Sequence, residues 1–161
     1  MLGKVSGTGM EVPAKTILQD HEEIKSLLND VREFLGKPRP ALEARGYHRW
    51  ASRLSRHLVK LHDRMFQHFR FEERTGILEE LLLAHPNASR RIESLVVDHE
   101  EILAEVRRLT AASMKYGENK PPEDVHLRKR MTDILDRLEQ HEKAETELIQ
   151  RLVHRELGMG D

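Results

Sequence analysis

The feature that most constrains the fold is a helical repeat of apolar residues, which recurs in four segments of the chain. In the first segment the apolar residues fall at spacings of three, four and seven: Ile17, Ile24, Leu28, Val31 and Leu35. Such spacing places them on one face of an α-helix, and no stretch alternates convincingly with the period of two that is typical of β-strands. The pattern predicts an all-α protein whose helices bury their apolar faces against one another.

Proline and glycine residues divide these segments into helices. Helix A is expected to begin at Pro13, because proline is tolerated in a first turn, and to end at Gly36. Helix B is expected to start after Pro40 and to run to about Arg74. Residues 78–83 predict a short further helical segment before the next connection.

Two more helices complete the prediction. Helix C follows Pro86 and runs to about Lys115, and helix D follows Pro122. Four helices of roughly 20 to 35 residues, joined by short connections, predict an up-down-up-down four-helix bundle. Residues 1–12 contain three glycines and little apolar periodicity, so we expect a flexible tail there. Residues 13–161 are expected to form the bundle as one domain.

Composition argues against several other classes of protein. The 161 residues include 27 basic and 28 acidic side chains, so a net charge of -1 gives no electrostatic reason to expect binding to nucleic acid or to an anionic membrane. The absence of cysteine excludes disulfides and thiolate ligands. No apolar run approaches the roughly 18 residues of a membrane span, and the N-terminus lacks the apolar core of a signal peptide. We therefore expect a soluble cytoplasmic protein.

The chain contains ten histidines, and four of them belong to a duplicated pattern. The pentapeptide Asp-His-Glu-Glu-Ile occurs at residues 20–24 and again at residues 98–102. Each copy is followed, 47 or 42 residues after its histidine, by another histidine with a glutamate four residues later. The candidate metal ligands, in chain order, are His21, His68, Glu72, His99, His141 and Glu145.

These six residues are expected to meet inside the bundle. Each histidine lies on the apolar face of its helix and toward the same end of the bundle, and a spacing of four places each glutamate beside its histidine. Imidazole is a good ligand for iron, and carboxylate oxygens can span two metal ions. We interpret the set as a site for two non-haem iron ions that share an oxo or hydroxo bridge, with zinc or manganese as substitutes.

Other readings stay open at the level of the residues. A lone histidine on an apolar face is usually a core residue, and one or two pairs of histidine with glutamate four residues later are expected by chance. The duplication is less easily accidental, although it could be inherited from a plain helical hairpin. The alternative function is therefore a non-catalytic helical module whose histidines are structural or bind a different divalent metal such as zinc or manganese.

The remaining histidines and nearby acids are left out of the predicted site. His57 shares a face with His68 but lies about 16 Å along the helix axis. Asp20 and Asp98 are weaker candidates, for orienting a histidine by a hydrogen bond. The other excluded histidines are His48, His62, His85, His126 and His154. The acids expected to face solvent are Glu22, Glu23, Glu73, Glu100 and Glu101.

The order of candidate ligands resembles that of the hemerythrin-like (HHE cation-binding) family, over about residues 14–157. That family places a histidine on helix A, His-x-x-x-Glu on helix B, a histidine on helix C and His-x-x-x-Glu on helix D. The chain is more similar to the four-histidine, two-glutamate bacterial members than to the invertebrate oxygen carriers. Those carriers have a second histidine on helix C, where this chain has Leu103. The departure implies that one iron is less fully ligated, with an open or water-filled position.

The resemblance implies a hemerythrin-like bundle that binds or senses dioxygen, nitric oxide or peroxide, in oxidative or nitrosative stress or in iron handling. No residue beyond the ligands is assigned as a catalytic acid or base, so the pattern does not decide between a binding protein and an enzyme. It also does not fix the oligomeric state. The apolar shell expected to limit solvent access to the metals comprises Ile17, Ile24, Leu61, Met65, Val96 and Leu138.

Overall fold

The computed structural model describes residues 9–37, 44–116, 124–156 and 158. Within these ranges the chain is helical and contains no strand, which confirms the predicted all-α class. The helices are α1 (Glu11–Gly36), α2 (Ala44–Thr75), α3 (Ile77–Ala84), a 3-10 turn (Pro86–Ala88), α4 (Ser89–Tyr116) and α5 (Asp124–Glu156). No described helix is long and apolar enough to cross a membrane.

The helix boundaries lie close to those predicted from the proline and glycine residues. Helix α1 begins at Glu11, two residues before the expected start, and the amide of Ala14 donates to the carbonyl of Met10 at 2.9 Å. Glu11 places a negative charge in the first turn, where the helix dipole favours it. The short segment predicted after helix B is α3. Three of the residues that predict helix boundaries lie outside the described residues: Pro40, Gly117 and Pro122. Residues 1–8 of the expected tail also lie outside them.

Gly76 makes the break between α2 and α3. Its φ of 70° lies in the left-handed region, which glycine adopts without the steric cost that a Cβ atom adds. The chain therefore turns sharply after Thr75 and starts a new helix at Ile77. Helix α3 packs against α2, α4 and α5 at one end of the molecule.

The four long helices pack in the cyclic order α1, α2, α4, α5, so each contacts the next and α5 returns to α1. Their buried apolar residues form two separate clusters. The larger cluster contains residues such as Ile24, Leu61 and Leu138, and the smaller one lies beside α3 and contains Ile17 and Leu148. A layer of buried histidines and carboxylates, described next, lies between the two clusters.

Candidate metal centre

All six candidate ligands are buried, and the folded chain brings them together. Their exposed fractions range from 0% for His68, Glu72 and Glu145 to 6% for His21. Helices α1 and α4 each contribute one histidine, whereas α2 and α5 each contribute a histidine and a glutamate one turn apart. Complete burial of two carboxylates in an apolar interior is costly unless positive charge is near.

One half of the centre is formed by four donor side chains. Nε2 of His21 lies 3.1 Å from Nε2 of His68 and 3.0 Å from Oε1 of Glu145. Nε2 of His68 lies 3.1 Å from Oε1 of Glu72. Two imidazole nitrogens can approach this closely when they share a proton or a metal ion, because otherwise two lone pairs or two N–H groups would face each other. These four residues form one group with a metal-binding arrangement.

The other half has the same construction. Nε2 of His99 lies 3.3 Å from Oε2 of Glu72, and Nε2 of His141 lies 3.2 Å from Oε2 of Glu145. Each glutamate therefore has one oxygen beside the histidines of the first half and the other oxygen beside those of the second half. His99, His141 and Glu145 form a second group with a metal-binding arrangement.

The donors fit metal ions better than they fit one another. Both oxygens of Glu72, Oε2 of Glu145 and the Nε2 atoms of His99 and His141 are buried without a hydrogen-bond partner among the described residues. Two donors that each lie about 2.1 Å from one ion are about 3.0 to 3.4 Å apart at octahedral to tetrahedral angles. The separations at this centre are close to that interval, so metal ions would supply the missing partners.

Aspartates from the duplicated pentapeptide hold two of the histidines in place. Nδ1 of His68 donates to Oδ2 of Asp20 at 3.3 Å, and Nδ1 of His141 donates to Oδ2 of Asp98 at 3.4 Å. A hydrogen bond from Nδ1 leaves Nε2 free to act as a metal ligand. The weaker expectation for these two aspartates agrees with the geometry.

Two arginines extend this arrangement. The sequence-based prediction of the site did not include them. Arg64 donates to Asp20, and Arg137 donates to Asp98. Each arginine precedes its histidine by four residues, so the pattern Arg-x-x-x-His-x-x-x-Glu occurs twice, at residues 64–72 and 137–145. That longer repeat is the sequence signal that could have revealed them.

The carboxylates set the protonation of the metal-free centre. Burial alone would lower the pKa of His68, but a hydrogen bond with Asp20 and the close carboxyl groups of Glu145 and Glu72 raise it to about 12. Burial and the charge of Glu145 raise the pKa of Glu72 well above its ordinary value. Burial would also raise the pKa of Glu145, yet its contacts with Glu72 and with the surrounding histidines hold it well below the ordinary value. The centre thus holds a proton on His68 at neutral pH.

Three further residues at the centre carry no signal of their own in the sequence. Oε2 of Glu142 lies 3.1 Å from Nε2 of His21, and the Thr146 hydroxyl is 2.7 Å from Nδ1 of the same ring. The ring of Phe69 stacks on His99 with centroids 3.9 Å apart. Glu142 and Phe69 each follow a candidate ligand directly. Helical periodicity places such a position away from the apolar face of its helix.

Two cavities lined by described residues lead from the surface to the centre. A cavity of about 370 Å³ between α1 and α5, here called the α1–α5 cleft, is lined by residues including His21, Lys25, Glu142 and Lys143. A smaller cavity of about 150 Å³ between α2 and α4 ends at residues including His99. Each opening therefore reaches a histidine from a different half of the centre.

Most of the expected surroundings are found, with one correction. The expected shell is buried at Ile17, Ile24, Leu61, Met65 and Leu138. Val96, in contrast, is 44% exposed, so its assignment to the shell was wrong. The preceding residue, Leu95, takes the inward position, because successive residues of an α-helix are about 100° apart around its axis.

The acids expected to face solvent do so, and so does part of the excluded set of histidines. The exposed acids are Glu22, Glu23, Glu73, Glu100 and Glu101. Among the excluded histidines, His48, His126 and His154 are exposed, and His57 packs against Phe34 with ring centroids 5.2 Å apart. Leu103 is 6% exposed and lines the smaller cavity beside His99.

Comparison with known families assigns the chain to one of them. No curated protein and no solved structure gives a significant match to it. The sequence profile of the hemerythrin HHE cation binding domain matches residues 12–153, and this span includes all six candidate ligands. Since the match covers most of the 161 residues, the protein belongs to the hemerythrin HHE cation-binding domain family.

Proposed function

We propose that the protein holds two non-haem iron ions at this centre and uses them to bind or sense a small oxidant such as dioxygen, nitric oxide or peroxide. Membership of the family implies metal binding, and iron is the metal typical of it. The observation that carries the proposal is the position of Glu72 and Glu145, each of which has one oxygen beside each half of the centre. Carboxylates placed in this way suit a pair of metal ions.

Each residue has a role in this proposal. His21 and His68 would hold one ion, His99 and His141 the other, and the two glutamates both. Bound iron supplies redox chemistry and an affinity for small oxidants. Asp20 orients His68 through Nδ1, which fixes the ring that faces the ion.

The surroundings favour a small ligand over a large substrate. The cavity that reaches His99 measures about 150 Å³ and is lined by Phe69 and Leu103 among others. A leucine at this position contributes no ligand atom, so the second ion would keep a position open for a diatomic molecule or a peroxide. Phe69 and Leu103 are apolar neighbours of His99 in this cavity, and four charged side chains also line it.

We also propose that residues 13–161 form one domain with the four long helices in up-down-up-down order. Between α1 and α2, Asp20 meets Arg64, whereas Phe34 stacks on Trp50. A residue later in α1 therefore contacts a residue earlier in α2, which is the relation expected of antiparallel helices. The same inverse relation joins α1 to α5 and α4 to α5.

A second candidate is a zinc or manganese protein without redox activity. One observation favours it: His21, His68, Glu72 and Glu145 form a group of four donors, the number that a structural zinc ion takes. Under this alternative the second group of donors would be structural or would hold the same metal. Metal content therefore separates the two candidates.

The test is metal analysis after expression with iron, followed by optical spectra of the reduced protein before and after air, nitric oxide and peroxide. We expect about two irons per chain and an oxo-to-iron charge-transfer band after air. The variant Glu72→Gln should lose iron, whereas the matched variant Glu73→Gln, at an exposed neighbouring position, should retain it. An iron-free protein whose fold is unchanged by His68→Ala combined with His141→Ala would refute the proposal.

A further inference from the structure

The duplicated pattern has different residues at one pair of equivalent positions. Phe69 follows His68, and Glu142 follows His141. Both side chains are buried at the centre, where Phe69 is 2% exposed and Glu142 is 9% exposed. Glu142 approaches His21, and Phe69 approaches His99. The two halves of the centre are therefore chemically unequal, because one contains a carboxyl group where the other contains a phenyl ring.

Glu142 forms no ion pair with a lysine or an arginine among the described residues. Its Oε2 lies 3.1 Å from Nε2 of His21, and its Oε1 lies 4.0 Å from Nε2 of His68. These two histidines are its only ion-pair partners among the described residues, although Lys25 and Lys143 line the same cleft. Both of its oxygens are buried without a hydrogen-bond partner in the described part of the chain. A buried carboxylate without hydrogen bonds is costly unless a proton or a cation neutralises it, and a metal ion at this place would do so.

Phe69 occupies the corresponding place in the other half and has the opposite effect. Its ring lies parallel to the ring of His99, with an interplanar angle of 10° and a centroid distance of 3.9 Å. It also meets the ring of His141 edge-on at 5.6 Å. A phenyl ring offers no ligand atom for a metal and excludes water from the space that it fills.

We propose that Glu142 is a seventh protein ligand, which binds the metal ion held by His21 and His68. This inference rests on the proposed metal binding and adds an inequality between the two ions. The ion beside His21 would have two histidines and three carboxylates near it. The ion beside His99 would have two histidines and the two shared carboxylates, with Phe69 as an apolar wall.

The position of Glu142 in the α1–α5 cleft gives the inference a kinetic consequence. The cleft, of about 370 Å³, opens on the half of the centre that contains His21. A metal ion or a chelator that enters by this route meets the carboxylate of Glu142 before it meets the shared glutamates. Removal of this ligand should therefore accelerate the loss of the ion on this side alone.

The experiment uses the full chain loaded with Co(II), because its d–d absorption bands respond to the number and type of ligands. Metal content is measured first, and release to excess EDTA is then followed by loss of these bands. The variants are Glu142→Gln and the control Glu139→Gln, which lines the same cleft and has a side chain that is 60% exposed. Far-UV circular dichroism of each metal-free variant checks that it is folded.

We expect the wild-type protein to bind two cobalt ions and to release them in two phases. Glu142→Gln should release one ion at least about tenfold faster and change its d–d bands, with the other phase unaltered. Glu139→Gln should behave as the wild type does. A variant Glu142→Asp, which keeps the charge on a shorter side chain, should alter the same phase if Glu142→Gln does not fold.

Two negative results have different meanings. If the wild-type protein binds two cobalt ions and both Glu142 variants match its spectrum and its release phases, Glu142 is not a ligand and the inference is overturned. If the wild-type protein binds no cobalt or other divalent metal, the proposed function fails and the inference falls with it. Metal content of the wild-type protein thus distinguishes the two failures.

Discussion

At the scale of single residues, the candidate metal centre places histidines and carboxylates in close contact. His68 interacts with Asp20 through Nδ1 and faces Glu72 and Glu145 through Nε2. These contacts raise the pKa of His68 to about 12 even though burial opposes its charge. A metal ion needs the same Nε2 atom without its proton, so protons and metal compete for one site.

The first prediction is that metal binding releases protons. Because the pKa of His68 in the metal-free protein is about 12, the ring is protonated at pH 7 and must lose that proton when Nε2 becomes a ligand. Zinc added to weakly buffered protein should release about one proton or more per chain, and zinc affinity should rise as pH rises. A pH indicator measures the release. Zinc binding without proton release would contradict the prediction.

The second prediction concerns Asp98, which accepts a hydrogen bond from Nδ1 of His141. Asp98→Asn keeps the shape of the side chain but removes the charge that fixes the ring and strengthens it as a ligand. We expect metal affinity to fall about 10- to 100-fold, as is usual for the loss of such a partner. Competition with a coloured chelator measures the affinity. Asp136→Asn, at a side chain that is 52% exposed, is the control and should leave affinity unchanged.

The six candidate ligands could be proposed from the sequence because helical spacing places each on an inward face. Glu142 could not, since a residue directly after His141 is turned about 100° from that face. Only the packing of α1 against α5 brings its carboxylate to His21. The contact of Asp20 with Arg64 likewise depends on the relative height of two helices, which a single sequence does not specify.

At the scale of helices, Gly76 determines where α2 stops and α3 begins. Existence and type of the helices followed from apolar periodicity, and the break was visible as a glycine between two apolar runs. The orientation of α3 did not follow, because a left-handed residue redirects the chain by an angle that periodicity does not contain. Packing of α3 against α2, α4 and α5 fixes that direction.

The third prediction tests this turn. Gly76→Ala places a Cβ atom at a residue with a φ of 70°, which costs about 1 to 2 kcal/mol in the free energy of unfolding. The new atom would have no close neighbour, since the nearest is a side-chain oxygen of Glu79 at 3.6 Å, so the cost comes from the backbone. Urea denaturation measures the change. Gly46→Ala, within α2 and in open space, should be neutral or stabilising.

At the scale of the whole molecule, the candidate metal centre separates two apolar clusters. Ile24, Leu61 and Leu138 belong to the cluster on one side, and Ile17 and Leu148 to the cluster beside α3. The layer between them contains buried polar atoms without hydrogen-bond partners in the described residues, and these destabilise the metal-free fold. Bound metal would satisfy these atoms and connect the two clusters through all four long helices.

The last prediction follows from this position. A ligand that binds only the folded state stabilises it by about 2.7 kcal/mol at a free concentration one hundred times its Kd. For a chain of this length that free energy corresponds to a rise in Tm of about 5 to 11 °C. Calorimetry with and without iron under anaerobic conditions measures the shift.

The variants used for metal analysis give this measurement its control. Glu73→Gln should keep the full rise in Tm, because its side chain faces solvent. Glu72→Gln should lose most of the rise, and its metal-free form should be at least as stable as the wild type, since burial and Glu145 both oppose the charge of Glu72. An equal rise in both variants would mean that metal stabilises the protein from somewhere other than the layer between the clusters. The stability of the whole fold is therefore a direct readout of which residues hold the metal.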